Sequence, residues 1–335
     1  MKRQSNCDKD DLWFLPGPIE EEPDFLPPGP RADPPDLALI DDWVRAQAIH
    51  ATHLAKVAGR LGALDERLRL GPEGWRRRLA LIEAAELSWL AGDRVHPDQL
   101  ALWISMRGSS VRDDTKILAR IHWAVRHLTE GPAPLSDLAA FLDRRDPEHI
   151  ADTSERFEDR AESWRTVICA ADDLHPISRA CMGFHLWNLA GLGRHGDQIE
   201  AAVTAARIAA SDGSGAIFAP LAMGGAGGLR SSGEPPERLA RWLDGMNSAI
   251  LTAMRHLDDV EAWAARAEIT MAPLSGRTPP ALRRVFTEWP VVSAPMAEAL
   301  TGASRAAVQR NLAWMEAWGL IREVTGQGRF RLWRI

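Results

Sequence analysis

The chain has no tyrosine and only three cysteines, Cys7, Cys169 and Cys181, in 335 residues. The first absence leaves no phenol for acid–base or nucleophilic work and passes the aromatic load to 14 Trp and 8 Phe. The second leaves neither an even set of cysteines nor a CxxC pair, which excludes a disulfide framework. Lysine is almost missing too, at four against 36 arginines, a skew we read as coding bias. No apolar run approaches the roughly 20 residues of a membrane span. The N-terminal MKRQSNCDKDD lacks the apolar core of a secretory signal. A reduced, cytoplasmic protein off the membrane is the expectation. What remains is ordinary for a globular chain with a sizeable core: 45% hydrophobic, 26% charged, net charge −6.

Residues 1–35, including LPGPIEEEPDFLPPGPRADPP, are rich in Pro and acid. Such a composition buries too little apolar surface to fold alone and predicts an extended arm, with Trp13, Phe14 and Phe25 as its anchors. Helical periodicity then dominates. One long helix is expected from about Asp36 to Leu68, with Leu37, Ile40, Val44, Leu54, Val57, Leu61, Leu64 and Leu68 on its apolar side. Further helices are expected near 75–91, 97–106, 113–129, 135–143, 154–171, 176–191, 196–210 and 236–268. The stretch 211–236 reads as a Gly-rich flexible connector carrying one short apolar helix. MAPLSGRTPP reads as a linker, because Pro and Gly end helices. The division expected is therefore an arm at 1–35, a helical domain at 36–271, a linker at 272–280 and a C-terminal domain at 281–335.

The C-terminal domain carries the sharpest pattern. ALRRVFTEWP is a short amphipathic helix closed by Pro290, and PMAEAL opens a second with Pro295. Thr301-Gly302 breaks the pattern. Ser304 then stands as N-cap of SRAAVQRNLAWMEAWG, which ends at Gly319. On that last helix Val308, Leu312 and Met315 recur at core spacing, whereas Arg305, Gln309 and Arg310 lie off the stripe. LIREV, a TGQG turn and RFRLWRI follow, with Phe330 and Leu332 alternating against Arg329, Arg331 and Arg334, as in a half-buried hairpin. No strand is expected elsewhere.

A helix pair followed by a basic hairpin is the layout of a winged helix-turn-helix, whose second helix enters the major groove. Charge agrees: residues 281–335 hold eight Arg against four Glu, about +4, which leaves about −10 on the rest of a −6 chain. Arginine suits phosphates and guanine edges. The expected DNA contacts are Ser304, Arg305, Gln309 and Arg310 on the helix, with Arg329 and Arg331 on the wing. A winged helix used only for dimerisation, its arginines solvating the surface, is the plainer alternative.

Other constellations carry less. The glycines of FAPLAMGGAGGLRSSGEPP are not followed by the Lys-Ser/Thr of a P-loop. His50 and His53 share a helix face without a third ligand, and His175, His185 and His195 fall ten apart, which matches no metal geometry. No metal site and no cofactor are expected.

Two segments, LGALDERLRLGPEGWRRRLALIEAAELSWLAGDRVHPDQL (61–100) and LHPISRACMGFHLWNLAGL (174–192), followed by the C-terminal pattern, resemble Fic-domain proteins with an appended helix-turn-helix. The resemblance implies a helical domain that transfers a nucleotide monophosphate from ATP to a hydroxyl, through the motif HPFx(D/E)GNGR. Here His175 and Pro176 match. Ile177 stands for Phe, Arg179 for the metal-binding acid, and Ala180, Cys181, Met182 and Gly183 for Gly, Asn, Gly and Arg. Ser88-Trp89-Leu90-Ala91-Gly92 resembles the family's inhibitory Ser-x-Ile-Glu-Gly, with Ala91 for its glutamate. Without the acid and the phosphate-binding arginine, Mg²⁺ and developing charge lack their usual partners. The chain is more similar still to a bacterial family that pairs a degenerate Fic-like helical domain, of no assigned role, with a C-terminal helix-turn-helix. PVVSAPMAEALTGASRAAVQRNL and GLIREVTGQGRFRLWRI carry that similarity, with Thr301-Gly302-Ala303 in place of the more usual Gly-Val turn.

The fold expected is mainly α, a Fic-like multi-helix domain plus a winged helix. The function expected is a non-enzymatic DNA-binding regulator, acting as a homodimer. The alternatives are a divergent Fic-type nucleotidyl transferase using His175, and a purely structural adaptor.

Overall fold

Apolar residues recur three and four positions apart through most of the chain, and helices form wherever they do. The computed structural model describes residues 37–105, 115–144, 156–193, 198–326 and 331–335, so the N-terminal arm, His195 and Arg329 lie outside the described residues. Nine helices build the first part: α1 (Leu37–Ile49), α2 (Ala51–Leu70), α3 (Gly74–Leu90), α4 (Pro97–Ser105), α5 (Thr115–Thr129), α6 (Leu138–Phe141), α7 (Phe157–Ala170), α8 (Pro176–Leu186) and α9 (Ile199–Ala209). A 3-10 turn at Ala226–Leu229 leads into α10 (Pro235–Met271). Then come α11 (Thr278–Glu288), β1 (Val292–Ser293), α12 (Ala294–Thr301), α13 (Arg305–Ala317), β2 (Arg322–Glu323) and β3 (Leu332–Arg334). The result is a mainly helical protein with one small sheet. No helix among the described residues is long and apolar enough to cross a membrane.

Six expectations need correction, four of them in single elements. The single helix over 36–68 is broken at His50, whose φ of −101° and ψ of 17° take one residue out of helical geometry. The helix expected to 143 shortens to α6, which Asp137 opens by accepting from Ala140 N. The linker ends at Arg277, because Pro279 and Pro280 sit in the first turn of α11, where a proline has no helical N–H to lose. A strand also forms outside the hairpin: β1 pairs antiparallel with β3, giving a three-stranded sheet in the order β1-β3-β2.

The 37-residue α10, about 55 Å long at 1.5 Å per residue, organises the whole molecule. Its first half, from Leu239 through Leu257, packs into the large core built by α1–α9. Its last turns, Trp263, Ala267 and Met271, belong to a second core with Leu282, Val285, Phe286, Leu312 and Met315. The boundary expected at residue 271 therefore cuts through a helix that both cores use. Alongside it α2 runs in the same direction. Arg60 binds Asn247, and one turn-pair later Arg67 reaches Met254 O at 3.2 Å, Asp258 at 2.7 Å and Glu261 at 2.8 Å.

The Gly-rich segment is not a loose connector. Two carboxylates from the helices hold its backbone. Asp65 accepts from Ser214 N and Gly215 N at 3.1 and 2.8 Å. Glu83, fully buried, accepts from Leu221 N, Ala222 N and Met223 N at 2.8, 2.9 and 3.1 Å. A buried peptide N–H without a partner is costly, and these acids supply the partners that no strand or helix provides. The glycines serve close approach: a Cβ on Gly245 of α10 would stand 2.7 Å from the Cα of Gly228 in the 3-10 turn. Gly→Ala within a helix ordinarily stabilises by up to about 1 kcal/mol. Gly245→Ala is expected to do the reverse, lowering stability by about 1–3 kcal/mol through overpacking, read as a drop in the urea midpoint. An unchanged or raised midpoint would mean that the turn does not ride on α10.

Candidate nucleic-acid interface

The second core fixes where the C-terminal arginines point. Val308, Leu312 and Met315 face inward from α13 and are fully buried, together with Leu282 and Phe286 of α11 and Ala297 of α12. The indole N–H of Trp263 donates to Leu320 O at 2.7 Å, tying the end of α13 to α10. Between α12 and α13 the turn closes as its residues dictate. Gly302 takes φ of 64°, its N–H bonds Glu298 O at 3.0 Å, and Thr301 Oγ1 accepts from Ala303 N at 3.2 Å. Ser304 is the N-cap of α13, accepting from Ala307 N at 3.4 Å.

With the apolar stripe turned in, Arg305, Gln309 and Arg310 are exposed, Arg305 and Gln309 flanking the stripe and Arg310 on the far side of α13. The Arg305 side chain is 75% exposed, and its closest acid, Glu298, is 3.9 Å away. An exposed pair that long contributes little and leaves the guanidinium available. Arg310 has no ion-pair partner among the described residues, and Arg322 on β2 is exposed as well.

Arg331 is placed differently. Its guanidinium donates to both carboxylate oxygens of Glu316 on α13, at 3.0 and 2.9 Å, and lies 5.0 Å over the Trp333 ring. Trp333 Nε1 shares the same carboxylate at 3.1 Å. The basic hairpin is thus clamped against α13 through an arginine expected to be free. Glu316, the last residue but one of α13 and opposite the hairpin, is the signal that sequence reading passed over. Arg334 is also engaged, with Asp98 of α4 at 2.8 Å, and Arg283 with Glu268 at 2.7 Å. Among the described residues the open cationic set is therefore Arg305, Arg310 and Arg322, with Gln309 between the first two, joined by Arg284, which is 70% exposed with Glu288 at 3.7 Å. At the hairpin turn Glu323 accepts from Thr325 N at 2.7 Å, and the Thr325 bonds hold its carboxyl below the usual range.

One buried residue sets how this module sits on the helical body. Arg78 of α3 is 3% exposed and donates to Phe286 O at 3.1 Å and Trp289 O at 2.7 Å, the carbonyls that end α11. Its Nε–H donates to His256 Nε2 of α10 at 2.9 Å. That acceptor role requires a neutral imidazole, and burial followed by the Arg78 charge pushes the His256 pKa down to about 4. Burial likewise lowers Arg78, to about 10.

His175 and Pro176 serve a helix start. His175 Nδ1 accepts from Ile177 N at 3.2 Å, its own N–H donates to Gln47 Oε1 at 2.8 Å, and Pro176 is the first residue of α8. Burial lowers the His175 pKa, with Asp212 opposing and Arg179 adding to the shift. Ala180, Cys181, Met182 and Gly183 lie inside α8 and are buried, Gly183 against Trp164. Ser88 Oγ donates to Ala85 O at 2.6 Å and accepts from Val95 N at 3.0 Å, closing the end of α3. His50 sits at the joint of α1 and α2, and His53 is 3.5 Å from Asp244. Among the described residues no three His, Cys, Asp or Glu side chains gather as a metal site. No protein-family model matches the chain, and no curated protein matches it.

Proposed function

We propose that this chain is a DNA-binding protein, a transcriptional regulator, whose residues 278–335 act as a winged helix-turn-helix. On this reading α13 enters the major groove. Arg305 and Arg310 approach base edges or flanking phosphates, Gln309 reaches a base edge, and Ser304 meets a phosphate at the helix N-terminus. The hairpin of β2 and β3 forms the wing, with Arg322 and Arg329 beside the backbone. Arg331 holds that wing to α13 rather than touching DNA. The helical body, of degenerate Fic-like character, serves oligomerisation or sensing, since a single winged helix seldom gives tight specific binding.

One observation carries the proposal: α13 buries Val308, Leu312 and Met315 while leaving Arg305, Gln309 and Arg310 exposed to solvent. The helix order and the β1-β3-β2 sheet support it. The transferase alternative draws no support from His175, whose Nδ1 is occupied by the Ile177 N–H. Anisotropy of a labelled random duplex, titrated across salt, tests the reading. Binding is expected to weaken steeply as salt rises. Arg305→Ala with Arg310→Ala is expected to flatten the log–log slope by about 2 and to weaken binding at least tenfold. Arg283→Ala, at a residue paired with Glu268, serves as the control. Equal binding by both variants, or no binding by the intact chain, removes the proposal.

A further inference from the structure

The seam between α8 and α10 holds an unusual surplus of hydrogen-bond donors. His185 is 8% exposed and both its ring nitrogens lack a partner. The indole N–H groups of Trp187 and Trp242 and the Nε–H groups of Arg238 and Arg241 are buried and equally unpartnered. Neither arginine forms an ion pair among the described residues. Arg241 spends one N–H on Ser232 O, and the acids nearest in sequence, Glu234, Glu237 and Asp244, are exposed. Buried polar groups in folded proteins are nearly always satisfied, so five donors on one seam need an account.

Beside them lies a cavity of about 20 Å³ lined by Phe184, His185, Trp187, Asn188, Gln198 and Ser231, with Ala201 at its wall. That is room for one atom the size of a water oxygen or a chloride ion. Every polar group of the lining can turn a donor towards that point: one imidazole N–H, one indole N–H, two amide NH₂ groups and a hydroxyl, of which the imidazole, the amides and the hydroxyl can also accept. The local potential is positive. The charges of Arg238 and Arg241 bear on both Cys181 and His185, and burial together with those charges keeps His185 neutral. Trp43 stacks on His185 at 6.0 Å between ring centroids and Phe184 meets it edge-on at 5.3 Å, so the imidazole is held in place from the apolar side.

We infer that this cavity is a binding site for a small monoanion, one atom of which sits among His185, Trp187 and the Asn188, Gln198 and Ser231 side chains, under the field of Arg238 and Arg241. With two cations at hand and no acid in the lining, a singly charged acceptor can draw a donor from each of these groups, which favours it over a water. The chemistry is that of a halide ion or of one oxygen of a small carboxylate. The site does not depend on DNA binding.

The test is tryptophan fluorescence of the full chain in gluconate buffer at fixed ionic strength, titrated in separate arms with chloride and with formate. Trp187 borders the cavity, so a saturable change in the millimolar range is expected in at least one arm. A response to chloride alone assigns a halide and a response to formate alone a carboxylate. Arg238→Gln with Arg241→Gln is expected to weaken the response at least tenfold, and His185→Phe, which fills the space, to abolish it. Should His185→Phe fail to fold, the double glutamine variant, altered at partly exposed positions, still decides. A change that never saturates, or one that both variants retain, marks a general salt effect on a cavity holding water and overturns the inference.

Discussion

Glu83→Ala is expected to lower the stability of the whole protein by about 3–6 kcal/mol, since three buried N–H groups lose their acceptor at about 1–3 kcal/mol each, less some relaxation. Those groups belong to Leu221, Ala222 and Met223, and nothing else on α3 replaces the carboxylate. A urea midpoint within error of wild type would show that the strap finds other partners. Glu83→Gln keeps one acceptor oxygen and brings an N–H₂ towards one of the donors, so its loss should be intermediate.

The same residue shapes the pH response. Burial outweighs its three N–H donors and pushes the Glu83 carboxyl up to about 7, against 4.5 when exposed. The folded form then binds the extra proton between those values. Its contribution is full below about pH 4.5 and lost as pH rises through 7. His185 and His256, both at about 4 against 6.5, act in the opposite sense. Their contribution is full above pH 6.5 and lost as pH falls towards 4. The two trends offset in wild type. Glu83→Gln removes one of them, so its stability should climb more steeply than wild type between pH 5 and 7 in paired urea melts.

The second large effect is expected at Arg78. Arg78→Ala removes charge-assisted bonds to Phe286 O and Trp289 O, and the bond to His256, at a total of about 3–5 kcal/mol. The loss should fall unevenly. Hydrogen exchange is expected to speed up over residues 278–335 while α9 and the Asp65- and Glu83-bound segment keep their protection. Arg78→Lys retains the charge but not the fork that spans two carbonyls, and should recover only part of the protection. Uniform acceleration across the chain would show instead that Arg78 stabilises the body and does not hold the module.

How much of this the sequence made legible follows from the range of the forces involved. Helix positions came through well because their signal is local. The capping roles of Ser304 and Pro176, the positive φ at Gly302 and the inward stripe Val308–Leu312–Met315 all follow from spacing within one turn or two. The break at His50 did not show, because an uninterrupted apolar pattern hides one non-helical residue. Strand β1 is two residues long and owes its existence to β3, about 40 residues on, so no window of local sequence contains it.

The Gly-rich strap was misread for the same reason. Its order comes from Asp65 and Glu83, 149 and 138 residues away along the chain. At the candidate interface, the face of α13 was legible and the fate of the wing arginines was not. Whether a surface Arg is free or clamped depends on which acid the fold brings near it, here Glu316 for Arg331 and Asp98 for Arg334.

The rod formed by residues 235–271 has a practical corollary for anyone who wants the C-terminal module in isolation. Its apolar wall includes Trp263, Ala267 and Met271, so a fragment beginning at Thr278 would leave Phe286, Leu312 and the Leu320 carbonyl facing water. A workable piece has to start upstream, near Asp258, and carry about four extra turns of helix, the end of a rod whose other half belongs to the larger core.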